Sequence, residues 1–424
     1  MTEPHRQSPG NAWVVLGALL AIYIVNFADR YLISGLVGPI KAEFGLGDGF
    51  MGLLMGPAFV VLYVVAGVPI ARLADRSSRI LIVVGGCLLW SMATFSTGFA
   101  TGPVSLAASR IAVGVGEAAF VAPAYSLLTD YFRPERRGLA FAILGLATYF
   151  GQIAGQGGGP AIAEVWGWRW AFWSMGAAGV VLALVGLAVV REPPRNGADG
   201  QPMATVAMGA ILASLVRNRT YLLALAGFTF AAISGVAFGA WGPELFTRSY
   251  GLDPVVAKAS FALFFGGAGL FGMLLFGAFS DRMARRGMEW PARLSGLAIA
   301  AATALTLAIT WMDAYPVAKW MAVPCGLLGG GWSVGLLATL QYILPAQFRA
   351  SATALFIAVT TLGSQFLGPF LVGVISETLG NDALSLRTGL TIVMPLGFLG
   401  AVCSWLSGRL VEKDRLALDS AAAR

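Results

Sequence analysis

Ala71-Arg72-Leu73-Ala74-Asp75-Arg76-Ser77-Ser78-Arg79 and Gly277-Ala278-Phe279-Ser280-Asp281-Arg282-Met283-Ala284-Arg285-Arg286 are the two stretches on which the fold turns. Each sets an Asp-Arg pair and a further arginine in a short gap between long apolar runs. Asp75 to Asp281 is 206 positions, and so is Arg79 to Arg285. A second basic loop repeats in nearly the same register: Arg137-Gly138-Leu139-Ala140 precedes Arg349-Ala350-Ser351-Ala352 by 212 positions. Two homologous halves give that pattern, and paired membrane halves are how carriers build a site that opens to either side in turn. The expected fold is all-α: about twelve transmembrane helices in two pseudo-symmetric six-helix bundles.

Composition leads to the same place by another route. The chain is 57% hydrophobic and 12% charged, against about 25% charged for soluble domains, more apolar surface than a soluble core can absorb. The spans read as 12–39, 50–74, 80–100, 103–131, 138–163, 169–190, 219–249, 254–280, 291–312, 316–344, 350–378 and 386–408. With the N-terminus inside, the cytoplasmic segments and adjoining span ends hold 20 of the 28 Lys and Arg residues, and the outer loops with the span ends beside them hold six: Lys41, Arg169, Arg248, Lys258, Lys319 and Arg387. That is the positive-inside bias. The net charge of +7 therefore orients the chain in a bilayer and does not point to nucleic acid. The expected location is the plasma membrane, a bacterial inner membrane, with both termini cytoplasmic.

Residues 1–11 and 412–424 read as cytoplasmic tails, poorly ordered. Residues 12–190 form the N-terminal bundle and 219–411 the C-terminal bundle. Between them, 191–218 is a linker that opens on Arg-Glu-Pro-Pro-Arg-Asn-Gly, which no helix tolerates. Met203–Leu215 within it reads as a short helix lying on the membrane surface. Gly151, Gly155 and Gly159 in the fifth span recur every fourth residue, a spacing that lets another helix approach closely. Trp166, Trp168, Trp170 and Trp173 read as an interfacial aromatic belt. Cys87, Cys325 and Cys403 fall in different spans, with no framework for disulfides.

The duplicated loops resemble the hallmark loop of the major facilitator superfamily, Gly-x-x-x-Asp-Arg-x-Gly-Arg-basic. The second copy matches at Gly277, Asp281, Arg282, Arg285 and Arg286. The first keeps Asp75, Arg76 and Arg79, with Ala71 and Ser78 for the glycines. Within that superfamily, Asn26-Phe27-Ala28-Asp29-Arg30-Tyr31 and Arg110-Ile111-Ala112-Val113-Gly114-Val115-Gly116-Glu117 resemble the spinster lipid transporters. The resemblance implies that helices 1, 4, 7 and 10 line a central cavity. It also implies gating roles for Asp75, Arg76, Arg79, Arg137, Asp281 and Arg282, with Asp75 near Arg137 and the start of helix 11.

Asp29, Arg30, Arg110 and Glu117 lie well inside predicted spans, and Glu244 nearer the end of its own. A charge at membrane depth needs a partner or a wet cavity. At 1.5 Å per residue, Asp29 lies about 26 Å up the first helix and Arg110 about 10 Å down the fourth, which brings them to similar height. Asp29 therefore faces Arg110, while Arg30 and Glu117 stand on the cavity wall. The same four could simply pin two helices together. Four such groups exceed that need, so Asp29 and Glu117 are candidates for proton coupling, and Arg30 and Arg110 for holding an anion. Tyr149, Gln152, Phe265 and Trp332 complete the substrate-binding set.

The corresponding positions of the C-terminal half are apolar or small, and its helices offer Phe261, Phe264, Phe265, Phe271 and Trp332. A charged half set against an aromatic half suits an amphiphile, and lysolipid or sphingoid-type substrates are what the spinster resemblance implies. An organic-anion or small-carboxylate symporter using Arg110 is the alternative. The only histidine is His5, so a histidine-dependent dyad or metal site within the membrane is excluded. No phosphate-binding G-x-x-x-x-G-K occurs. The expectation is a carrier and not an enzyme, without metal or cofactor, whose partners are the bilayer, an amphiphilic small molecule and protons. It is expected to act as a monomer.

Overall fold

The structure, a computed structural model, describes residues 11–193, 208–345 and 349–422. Among these every regular element is a helix. Twelve segments are long and apolar enough to cross a membrane: α1 (Ala12–Gly35), α2 (Asp48–Arg76), α3 (Arg79–Thr97), α4 (Pro103–Tyr131), α5 (Pro134–Trp166), α6 (Trp168–Val189), α7 (Arg219–Tyr250), α8 (Pro254–Ala284), α9 (Trp290–Thr310), α10 (Tyr315–Ile343), α11 (Ser351–Leu379) and α12 (Ala383–Leu416). In hydrocarbon each backbone group must find its partner inside its own segment, and a helix does this without an edge. The ends follow local chemistry. Asn11, Ser78, Asn218, Asp253 and Asp382 each accept a hydrogen bond from a first-turn amide of the helix they precede, satisfying donors that helices leave open.

By their contacts the residues fall into two compact units, Met1–Leu46 with Pro57–Pro202, and Gly47–Gly56 with Met203–Arg424. In the first, α1 packs on α5 and α6, α3 on α4 and α6, and α2 on α4. In the second, α7 packs on α11 and α12, α9 on α10 and α12, and α8 on α10. Adding six to every number in the first set gives the second, so the repeat seen in two loops extends through the packing.

Glycine sets the closest of these contacts. A Cβ on Gly151 would stand 2.8 Å from the Ala28 nitrogen, and one on Gly155 would stand 3.0 Å from the Leu32 nitrogen. The expected stripe is therefore the seam between α5 and α1. Inside α5, Ile153–Gly158 winds as a π-helical turn, and Ala262–Gly267 does the same in α8. Such turns shift the faces on either side of them and recur at functional sites.

The start of α2 behaves unlike the rest of its span. The helix is interrupted at Gly56, ahead of Pro57, and the stretch before the break packs on α11. There a Cβ on Gly52 would lie 2.6 Å from the Pro369 carbonyl oxygen, and one on Gly56 would lie 2.5 Å from that of Gln365. Only glycine permits so close a seat.

Several expectations change. The linker helix runs Met208–Arg217, and the rest of the proposed Met203–Leu215 helix lies outside the described residues. Ile211 and Leu215 pack into the second unit's core beside Tyr221, Phe356 and Val411, while Leu212 and Val216 are exposed. Residues 412–422 are not an irregular tail: the closing helix runs Leu396–Ala422, with Asp414 accepting from the Thr220 amide at 3.1 Å. Residues 1–10 lie outside the described residues. Of the four tryptophans, Trp166 and Trp170 are exposed, but Trp168 is buried and donates to Glu43 at 2.7 Å. Lys258, counted above among the outer loops, is buried within α8.

Candidate functional site

The charged residues of α1 and α4 meet inside the first unit. Asp29, Arg110 and Glu117 are each only 1% exposed. Arg110 Nη1 stands 3.8 Å from Asp29 Oδ1, and Arg30 Nη2 donates to Glu117 Oε2 at 2.5 Å. Helix periodicity explains the crossing. Arg110 and Glu117 are seven apart and share a face, two turns from each other, while the adjacent Asp29 and Arg30 point about 100° apart. Each acid of the group thus faces a base on the other helix. Arg30 and Glu117, expected on the cavity wall, are paired with each other.

The surroundings refine the two pairs differently. Asp29 accepts a hydrogen bond from Thr94 of α3, so its pair is enclosed by a third helix. The Arg30 guanidinium lies over the rings of Phe27, Phe59 and Tyr63, at 4.9, 4.6 and 5.5 Å from their centroids. Arg110 shares Phe59, at 5.5 Å. Aromatic faces stabilise a cation without neutralising it. The Arg30 side chain is the most accessible of the four, at 13%. Glu117 Oε1 and both amide atoms of buried Asn26, one turn from Asp29 and Arg30 on α1, make no hydrogen bond.

The other candidates spread out. Gln152 is buried and donates to Gln156 at 3.0 Å, which donates to Ser34 at 3.1 Å. Tyr149 lies half-buried on the same helix. In the second unit Phe265 sits in the π turn of α8, stacked on Phe261 at 5.0 Å and edge-on to Phe238 at 5.3 Å. Trp332 of α10 packs on Phe228 at 4.7 Å, in a separate aromatic group.

Of the gating candidates, Asp75, Arg76 and Arg282 are exposed, and Arg137 donates to the carbonyls of Thr129 and Phe132. The side chain of Asp281 lies outside the described residues. Arg79 is buried at the centre of a clamp. It donates to Glu192 at 2.7 Å, to Asp130 at 2.5 Å and to the Ser126 hydroxyl at 3.0 Å. Glu192 also accepts from Ser78 and from the Ile80 amide. Burial alone would raise the Glu192 carboxyl. The hydrogen bonds from Arg79, Ile80 and Ser78 outweigh it and hold the group below the ordinary carboxylate range.

The family model of the Major Facilitator Superfamily matches residues 19–366. The chain belongs to the Major Facilitator Superfamily. Among its relatives is an MFS-type efflux pump of Mycolicibacterium smegmatis, 29% identical over 413 residues, covering 96% of this chain and 95% of that protein. Protein spinster homolog 1 of Homo sapiens is 27% identical over 438 residues, covering 96% of this chain and 83% of the human one. A crystal structure of a bacterial homolog to the human lysosomal transporter Spinster, inward-facing and unoccupied, superposes with a TM-score of 0.85 at 24% identity, covering 98% of this chain and 99% of that chain. The occupied form superposes with a TM-score of 0.82, at the same identity and coverage.

This chain is therefore a multi-pass membrane transporter of that superfamily, related to spinster proteins and to an efflux pump, in a family that is not enzymatic. Within a superfamily transporter, three features of the site carried little sequence signal. Thr94, Phe59 and Tyr63 surround the charges but belong to residue types common in any apolar helix. Asp130 and Glu192 lie at helix ends, where a carboxylate is unremarked. Lys258 was read as a loop cation because it follows a loop by four residues.

Proposed function

We propose that this transporter moves an amphiphilic substrate of the lysolipid or sphingoid type by alternating access, coupled to protons through Glu117 and Asp29. The Arg30–Glu117 pair carries the reading. Arg30 is the accessible cation of the group, and an anionic headgroup that takes its guanidinium displaces Glu117. A buried carboxylate stripped of its cation is stable only once protonated. Substrate and proton thus exchange places on one arginine. Arg110 is the second anion-binding cation, and Asp29 the second proton carrier.

Phe265 and Trp332, with Tyr149 and Gln152, are proposed to receive the remainder of the substrate. The lipid class is what the sequence resemblance to the spinster transporters implies. The short basic loops at Arg76–Arg79 and Arg133–Arg137 support a cytoplasmic location for that end of the bundle. Asp75, Arg76, Arg137, Asp281 and Arg282 are proposed to gate it.

The test is flux in proteoliposomes with an imposed pH gradient. A labelled lysolipid should move with the gradient, and Glu117→Gln should exchange substrate across the bilayer while losing the pH dependence of net flux. A small aromatic acid that competes where lysolipid does not would favour an organic-anion carrier. Wild-type pH dependence in folded Glu117→Gln and Asp29→Asn alike would remove the coupling role.

A further inference from the structure

A second buried charge cluster lies in the other unit. Asp48, the first residue of α2, is fully buried. Arg248 of α7 grips it with two parallel hydrogen bonds of 2.7 Å each, and Ser376 of α11 adds a third at 2.7 Å. The amides of Asp48 and Gly49 donate to Asn381 at 2.9 Å and Glu377 at 2.6 Å. This clasp seats the start of α2 on the second unit, although the remainder of the same span, from Pro57, belongs to the first.

Behind the clasp stands Glu244, 4% exposed and one turn before Arg248 on α7. It lies 3.8 Å from Arg248 Nε and 3.5 Å from Nζ of Lys258, itself 2% exposed. These are ion-pair distances, and Glu244 Oε2 makes no hydrogen bond. Next to a bidentate pair at 2.7 Å this is a loose arrangement, and burying a carboxylate so loosely is costly. A glutamate one turn N-terminal to an arginine is also the favoured order for pairing along a helix.

We propose that Glu244 is the alternate partner of Arg248. When Asp48 leaves, the guanidinium closes the remaining gap onto Glu244, so the clasp opens without stranding a buried cation. Lys258 holds Glu244 in place meanwhile and sets how readily it is given up. The role of such a clasp in a working cycle rests on the alternating-access reading. The charge exchange itself does not, and its test needs no substrate.

The test is hydrogen exchange in lipid nanodiscs at the amides of Asp48 and Gly49, which the clasp protects. Glu244→Gln should slow exchange there about threefold or more, because opening then strands Arg248. Lys258→Met should speed it by a similar factor, because Glu244 is then free for Arg248. A cluster that only packs the unit would give faster exchange in both. If Glu244→Gln does not fold, Glu244→Asp, which keeps the charge but falls short of Arg248, should also slow exchange. Equal or faster exchange in the glutamate variants overturns the proposal. Absence of flux for every substrate tried would count against the transport reading alone.

Discussion

Asp29 and Glu117 differ in what their loss would leave behind. Without Asp29, Arg110 remains 1% exposed with Glu117 already committed to Arg30. Without Glu117, Arg30 keeps three aromatic faces and the most open side of the group. Removing one member of a buried pair costs about 3–5 kcal/mol. Asp29→Asn should reach that range in thermal unfolding of the purified protein, and Glu117→Gln should lose clearly less. Equal losses would mean that Arg30 is as enclosed as Arg110. At this scale the sequence was informative wherever a charge interrupted an apolar run, because its cost inside a membrane has to be met. It was silent on Thr94, whose hydroxyl sits in such a run at little expense until a carboxylate needs it. Depth and spacing set Asp29 opposite Arg110, where the structure has it, but did not pair Arg30 with Glu117, since they give faces and not rotamers.

Among the elements, a close helix contact on α5 was legible because four-residue glycine spacing has one main use, while its partner, α1, was not. Gly155→Val would push a branched side chain against the α1 backbone, and overpacking of this kind costs about 1–3 kcal/mol. The expected result is a lowered melting temperature, with Gly158→Val, where a Cβ would meet open space, losing much less. Indistinguishable variants would refute the seam. The π turns were not legible, because their backbone shift depends on packing and not on residue type. The clamp on the linker was equally hidden. Its pH behaviour has a definite sign: the Glu192 carboxyl is held below its ordinary value. Its contribution is therefore complete above about pH 4.3, the unfolded glutamate value, and fades as pH falls through the lower folded value. Protection of the Ile80 amide, which Glu192 accepts, should accordingly persist at neutral pH and weaken on acidification, after correction for intrinsic exchange. Protection that grew in acid would contradict the assignment.

For the molecule as a whole, orientation is the testable matter. In a variant with Cys87, Cys325 and Cys403 replaced by alanine, Ala42→Cys should react with an impermeant maleimide from outside intact cells. Glu135→Cys should react only in inverted vesicles. Both positions are exposed, and the reverse pattern would overturn the charge-based topology. The twelve spans and the two halves were readable because the bilayer imposes length and apolarity on every crossing. What could not be read was that one span would divide its allegiance at Gly56, since that depends on a partner far along the chain.

That distance sets a clock. Asp48 and Arg248 are 200 residues apart, so at a translation rate of about 5–20 residues per second the arginine emerges roughly 10–40 s after the aspartate. Throughout that interval the first helices are already in the bilayer, and the glycine face that will seat on α11 has only lipid or a passing insertase against it. The nascent chain must therefore keep Asp48 at the water's edge and wait, so the last step of assembly completes one of the first helices made.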